Sequence, residues 1–160
     1  IEFNEDLKYE TDNKRTVYGG GGVMPDIFIP LDTSENSDLY VDLWSKGLFN
    51  QYGNEYVDAN RKELLAKYPD FEAFNSNFKV QGEFMQGFLD LAKADSVEVD
   101  LDDLQVSQHL IHTRLKALVA RSLWKTEAFY RVVNQEDEVV QRAIEAIEDK
   151  TFRKLRLSYN

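Results

Sequence analysis

Four consecutive glycines, Gly19 to Gly22, stand between two apolar stretches in TVYGGGGVMPDIFIP, Thr16 to Pro30. Nothing else in the chain restricts its fold as strongly. Glycine in an ordered segment serves positive φ or close approach of a second segment, and costs conformational entropy that other residues avoid. With Val17 and Tyr18 before the run and Val23, Met24, Ile27, Phe28 and Ile29 after it, the stretch predicts strand, tight glycine bend, strand. The alternative, a phosphate cradle, needs the glycines to open onto a helix N-terminus, usually with a lysine close behind. Here Pro25 and a β-branched run follow, and no lysine follows the glycines until Lys46.

Residues from Phe3 to Pro30 are β in character, and then the pattern changes. Leu31 to Asp38, LDTSENSD, is a polar connector rich in helix-capping residues, and the boundary is placed within it. Two regions are expected: a terminal β segment, 1–33, and a helical domain, 34–160. Leu39, Tyr40, Leu43, Trp44 and Leu48 recur at helical spacing and predict a first helix over 37–49. A second ends before Pro69. Asp70 caps a third carrying Phe71, Phe74 and Phe78, and Phe84, Met85, Phe88 and Leu91 define a fourth. The longest is expected from Leu101 to about Trp124, with a buried stripe of Leu104, Ile111, Leu115, Leu118, Val119 and Ser122. A short helix follows Thr126, and a last one over 136–149 buries Val139, Val140, Ala143, Ile144 and Ile147. The fold class is mainly α: a helical bundle of six or seven helices preceded by a short N-terminal β segment.

Ten Phe, eight Tyr and two Trp in 160 residues supply a core for one domain. A net charge of −10 argues against nucleic acid as a partner. The basic tail, Lys150, Arg153, Lys154 and Arg156, is most simply a solvated helix end whose cations suit the helix dipole. With no cysteine there is no disulfide, thiolate metal site or cysteine nucleophile. The chain starts at Ile1 without a basic-then-apolar leader, as a piece cut from a longer chain would.

Candidate chemistry is sparse. His109 and His112 lie three apart on one helix, but no Glu stands three residues before either, so the Glu-x-x-His pattern of bundle metal sites is missing. No metal and no cofactor is expected. Five acids between Asp95 and Asp103 lack the ordered calcium-loop pattern; Asp100 as a helix cap, with Asp102 and Asp103 in the first turn, accounts for them. Trp44, Trp124, Phe129 and Tyr130 are either core or an exposed peptide-binding groove, and helical spacing favours core.

The stretch from Lys8 to Thr33 resembles the end of the protease domain in the carboxy-terminal processing, or tail-specific, protease family, in which a Gly-Arg strand leads to a Gly-x-Gly-Ile-x-Pro-Asp-Ile turn. Arg15 matches the family arginine, Gly20 and Gly22 the paired glycines, Val23 the isoleucine, and Pro25, Asp26 and Ile27 the Pro-Asp-Ile. Asp12-Asn13-Lys14 replaces the Pro-Ser-Gly of many members, and the glycine run is longer. The resemblance implies a parent serine endopeptidase with a Ser-Lys dyad and a PDZ module upstream, acting on protein or peptide C-terminal tails outside the cytoplasm, in the periplasm or at the envelope. None of the eight serines lies in a glycine- or alanine-rich elbow, so no catalytic residue is assigned and the chain alone is expected to be inactive. Its expected job is to complete the protease sheet and add a helical module for packing, substrate access or self-association. An exposed β edge would invite homodimerisation. An autonomous helical interaction or scaffold domain is the alternative, and docking of an adaptor a third reading.

Overall fold

The computed structural model describes residues 5–20 and 25–155. Their order is a single 3-10 turn (Glu5–Leu7), β1 (Lys8–Glu10), β2 (Thr16–Tyr18), α1 (Asp38–Ser45), α2 (Leu48–Lys67), α3 (Phe71–Asn77), α4 (Glu83–Ala94), α5 (Leu101–Val106), α6 (Gln108–Val133), α7 (Glu138–Glu148) and a one-turn α8 (Thr151–Lys154). The mainly α class with a short N-terminal β segment is as the sequence predicts. The chain divides into two compact units, Leu31–Asp137, and Ile1–Pro30 with Glu138–Asn160.

All the buried apolar side chains among the described residues lie between Leu39 and Val132, within the larger unit. Its centre is aromatic: Phe49 stacks on Phe88 at 5.2 Å, Tyr56 meets Phe84 edge-on at 4.5 Å, and Phe74 stacks on Phe78 at 4.6 Å. Such pairs add to the gain from burial alone. Helices α2 and α6 approach closely at Gly53, where a Cβ would lie 3.2 Å from Leu118 Cβ. Asn54, Arg61 and Ser122 join across the same seam: Ser122 Oγ bonds Asn54 Oδ1 at 3.2 Å, and Arg61 Nη1 donates to the Ser122 carbonyl at 3.0 Å. Tyr52 fastens α4 to α2 by donating its hydroxyl to the Phe84 carbonyl at 2.6 Å. Burial pushes that phenol's pKa up to about 12. Gly87, one turn on, leaves it room: a Cβ there would stand 2.6 Å from the Tyr52 oxygen.

Two expected boundaries shift. The first helix ends at Ser45 because Gly47 takes φ +73°, which moves Leu48 into α2. The long helix predicted from Leu101 breaks at Ser107 into α5 and α6. That serine is fully buried: its Oγ donates to the Glu35 carbonyl, accepts from the Ser37 N–H at 3.0 Å, and shares a hydrogen bond with the Ser37 hydroxyl at 2.8 Å. Asp103, one turn earlier, accepts from the Leu39 N–H at 3.1 Å. The start of α1 is thus tied to the α5–α6 break through buried polar groups, which are costly to leave unpaired.

The helix end expected at about Trp124 lies inside α6. Trp124 and Lys125 leave helical geometry, Lys125 with φ 70° and ψ −176°. A straight helix would separate residues 109 and 136 by about 40 Å at 1.5 Å per residue, yet His109 Nε2 lies 3.6 Å from Glu136 Oε2. The chain therefore doubles back at Lys125, and the short helix expected after Thr126 is the returning limb. It packs beside α3, where Arg131 pairs with Glu72 at 2.7 Å and covers the Phe71 ring at 4.2 Å.

The last helix departs from expectation in its burial. Within α7 no residue is buried, and Val139, Ile144 and Ile147 are exposed, the last by 67%.

Two substitutions test this architecture by chemical denaturation. Lys125 occupies backbone space that essentially only glycine enters freely, at a cost of order 1–3 kcal/mol. Lys125→Gly is expected to raise unfolding stability by about 1 kcal/mol, and Lys125→Val to lower it. Ser107→Ala removes the acceptor of the buried Ser37 N–H and is expected to cost about 1–3 kcal/mol.

Candidate functional site

The motif residues predicted from the sequence lie in the smaller unit. Lys8–Glu10 and Thr16–Tyr18 form an antiparallel pair in the register Lys8 to Tyr18, Tyr9 to Val17 and Glu10 to Thr16. Strand thus pairs with strand before the glycines, not across them. Residues Pro25 to Pro30 form no strand; their two prolines lack the N–H that a sheet ladder needs. This corrects the strand, bend, strand expectation.

In the turn between β1 and β2, Lys14 sits at φ 56°, in the left-handed region that glycine enters without a Cβ penalty. The Thr11 and Arg15 backbones close the turn, with Thr11 N–H to the Arg15 carbonyl at 2.9 Å and Lys14 N–H to the Thr11 carbonyl at 2.8 Å. Arg15 N–H also reaches the Thr11 hydroxyl at 3.2 Å.

Two members of the motif meet directly. The Arg15 guanidinium is ion-paired with the Asp26 carboxylate, joining the hairpin to the segment beyond the glycines. Both are partly exposed, so the pair is worth about 0–1 kcal/mol and acts mainly as a geometric tether. Gly20 has φ +93°, and a Cβ there would fall 2.5 Å from Leu7 Cδ1. The positive φ favours glycine, while the Leu7 side chain could move aside. Gly22 and Val23 lie outside the described residues. Pro25 is exposed and Ile27 half-buried. Asp26 and Ile27 line a groove of about 250 Å³ whose walls include Ile29, Val139, Ala143 and Leu155. Arg142 and Thr151 also line it, so polar side chains stand among its apolar walls.

The other candidates divide. No group of three or more His, Cys, Asp or Glu among the described residues could hold a metal ion. His109 faces Glu136, while His112 is half-buried, and burial, reinforced by the charge of His109, holds its pKa below the usual 6.5. Asp100 caps α5, accepting from the N–H groups of Asp102 and Asp103 at 2.8 and 3.0 Å, as its sequence position predicts. No helix among the described residues is long and apolar enough to cross a membrane. A second cleft, of about 330 Å³, lies among Tyr56, Asn60, Lys67, Phe78 and Lys79.

Of the four aromatics grouped by the sequence, Trp124 turns inward against Phe71 and Phe74, its ring 5.2 Å from that of Phe74. Trp44 and Phe129 come together instead around Arg114, whose guanidinium lies 4.0 Å from the Trp44 ring centre and 5.3 Å from that of Phe129. Tyr130 packs edge-on to Phe129 and is exposed. Reading the aromatics alone misses the arginine. The signal was Arg114 and Arg121, seven apart and so on one helix face.

Two measurements follow. Lys14→Gly is expected to slow exchange of the Gly19 amide, which is bonded to the Leu7 carbonyl at 2.8 Å, whereas Gly20→Ala is expected to speed it by at least about tenfold, a local loss of about 1.4 kcal/mol. For His112 the unfolded chain takes its proton first, because the folded pKa is the lower. The stability it lends is complete above about pH 6.5 and declines as the pH falls below that value. His112→Gln is therefore expected to reduce the drop in melting temperature between about pH 7.5 and about pH 5.

No curated protein and no solved structure matches the chain. Residues 39–125, from the first turn of α1 to the reversal in α6, match the model of DUF8443, a family of unknown function. The match takes in more than half of the sequence, and the chain belongs to that family.

Proposed function

We propose that this chain is the non-catalytic C-terminal region of a carboxy-terminal processing serine endopeptidase, in which residues 1–33 complete the sheet of the protease domain and residues 34–160 add a helical module. The observation that carries the reading is the absence of a core around the motif. Among the described residues of 5–30 and 138–155 no apolar side chain is buried, while Tyr9, Phe28, Val139, Ile144 and Ile147 stand exposed. A two-stranded ribbon of three residues per strand is not stable by itself. Apolar surface on such a frame is what a further protein body would cover. The resemblance of Lys8 to Thr33 to the end of a tail-specific protease domain says which body, and the Arg15–Asp26 tether suits a hairpin that must hold its shape inside it.

On this reading the parent cuts proteins or peptides recognised by their C-terminal tails, works in the periplasm or at the envelope, and carries its PDZ module and Ser-Lys dyad upstream. Residues 1–160 supply neither nucleophile nor base. The bare β edge pairs with a neighbouring strand of the parent, or with a second copy when the parent's strands are removed.

A second reading, an autonomous helical interaction or scaffold module, is favoured by one observation: the buried core and the family match both fall within residues 31–137. Extension of the polypeptide upstream of Ile1 separates the two. The protease reading expects peptidase activity in the extended protein, lost on replacing its serine nucleophile, together with slowed amide exchange at Tyr9 and Val17. Peptide hydrolysis by residues 1–160 alone, or an extended protein with no peptidase activity and unchanged hairpin exchange, overturns it.

A further inference from the structure

We propose that Trp44, Arg114 and Phe129, with Arg121 beside them, form a binding site for a single carboxylate carried next to an apolar group, the chemistry of an acidic side chain in an apolar segment of a partner protein. The site lies within the helical unit and does not depend on the hairpin or on the nature of any parent.

Arg114 is an arginine held ready and unused. Trp44 at 4.0 Å and Phe129 at 5.3 Å place aromatic rings around its guanidinium, contacts that orient a cation without neutralising it. Among the described residues it makes no hydrogen bond or ion pair, and its Nε is buried without a partner. A guanidinium carries five N–H donors in a flat fork that matches a carboxylate. Partial burial strips water from this one, and burial together with the like charge of Arg121 depresses its pKa. Such a charge gains most from an anion that replaces the lost solvation.

The surroundings select the kind of anion. Trp44 is 50% exposed, so its ring offers an open apolar platform beside the charge. Arg121 is held in place by donating to Asn50 Oδ1 at 3.0 Å, and its guanidinium lies 6.0 Å from the same Phe129 ring. Two cations on a chain of net charge −10 do not suit a polyanion: nucleic acid or an anionic bilayer would be repelled by the rest of the surface. One carboxylate takes the fork and its apolar neighbour takes the indole.

The site also depends on the reversal in α6. In a straight helix Phe129 would stand about 22 Å along the axis from Arg114. The turn at Trp124 and Lys125 brings it back.

The test is a titration of the 160-residue chain with 3-phenylpropionate, followed by NMR at the Arg114 Nε–Hε and Trp44 indole N–H signals, with 3-phenylpropionamide and inorganic phosphate as comparisons. Saturable shifts at both signals are expected at millimolar carboxylate, with binding weaker by at least about tenfold for the amide, as loss of one charge-assisted bond implies. Arg114→Gln is expected to abolish the shift at Trp44, and Arg114→Lys to recover only part of it, because the ammonium lacks the planar fork. Should Arg114→Gln fail to fold, Arg121→Gln and Trp44→Leu must each weaken binding. No saturation below about 50 mM, equal binding of acid and amide, tighter binding of phosphate, or binding unchanged in the folded variants overturns the proposal.

Discussion

The close crossing of α2 and α6 at Gly53 and Leu118 is the contact from which the helical unit is built. Because Gly53 has no side chain, Leu118 can lie against the α2 backbone, and the two longest helices meet along their length. On one side of that seam, Val57, Leu115 and Ile111 are sealed from solvent. On the other, Asn50, Asn54 and Arg61 reach across to Arg121 and Ser122. The remaining helices add to this pair. Tyr52 brings α4 to it by one phenol hydrogen bond, and Phe49 and Phe88 fill the space between. A Cβ at position 53 would lie 3.2 Å from Leu118 Cβ, so the seam would have to give by a few tenths of an ångström to take one.

Polar groups decide where the helical unit turns. Ser107, buried with its hydroxyl shared between Glu35 and Ser37, ends one helix and starts another because its bonds lie with the segment before α1. Lys125 does the opposite: it gains no comparable bond from its strained backbone, and the strain is held by the packing of the returning limb on α3. At the first, a helix predicted from periodicity gives way to tertiary contacts; at the second, the helix stops about where the sequence predicts and the chain turns back. The second also creates the arginine and aromatic cluster, which no uninterrupted helix brings together.

The hairpin obeys a different economy. Its shape comes from backbone geometry and short polar links: Lys14 and Gly20 at positive φ, the Thr11 turn, and the Arg15–Asp26 pair. None of its described apolar side chains is fully buried, and Leu7, Val17, Tyr18, Ile27 and Ile29 are only half-buried. Local geometry can specify such a ribbon without stabilising it.

The sequence by itself determined the mainly α class, the caps at Asp70 and Asp100, the aromatic core positions, and the preference for glycine at Gly20. These are local matters: spacing along a helix, a side chain reaching its own backbone, the lack of a Cβ. It named Trp44 and Phe129 without their arginine, and it placed α7 among the buried helices on the strength of an apolar stripe. Only the tertiary structure decided the break at Ser107, the reversal at Lys125, the meeting of Arg15 with Asp26 across the glycines, and the exposure of Val139, Ile144 and Ile147. Each depends on which distant segment lies opposite, and periodicity tells which face is apolar but not what covers it.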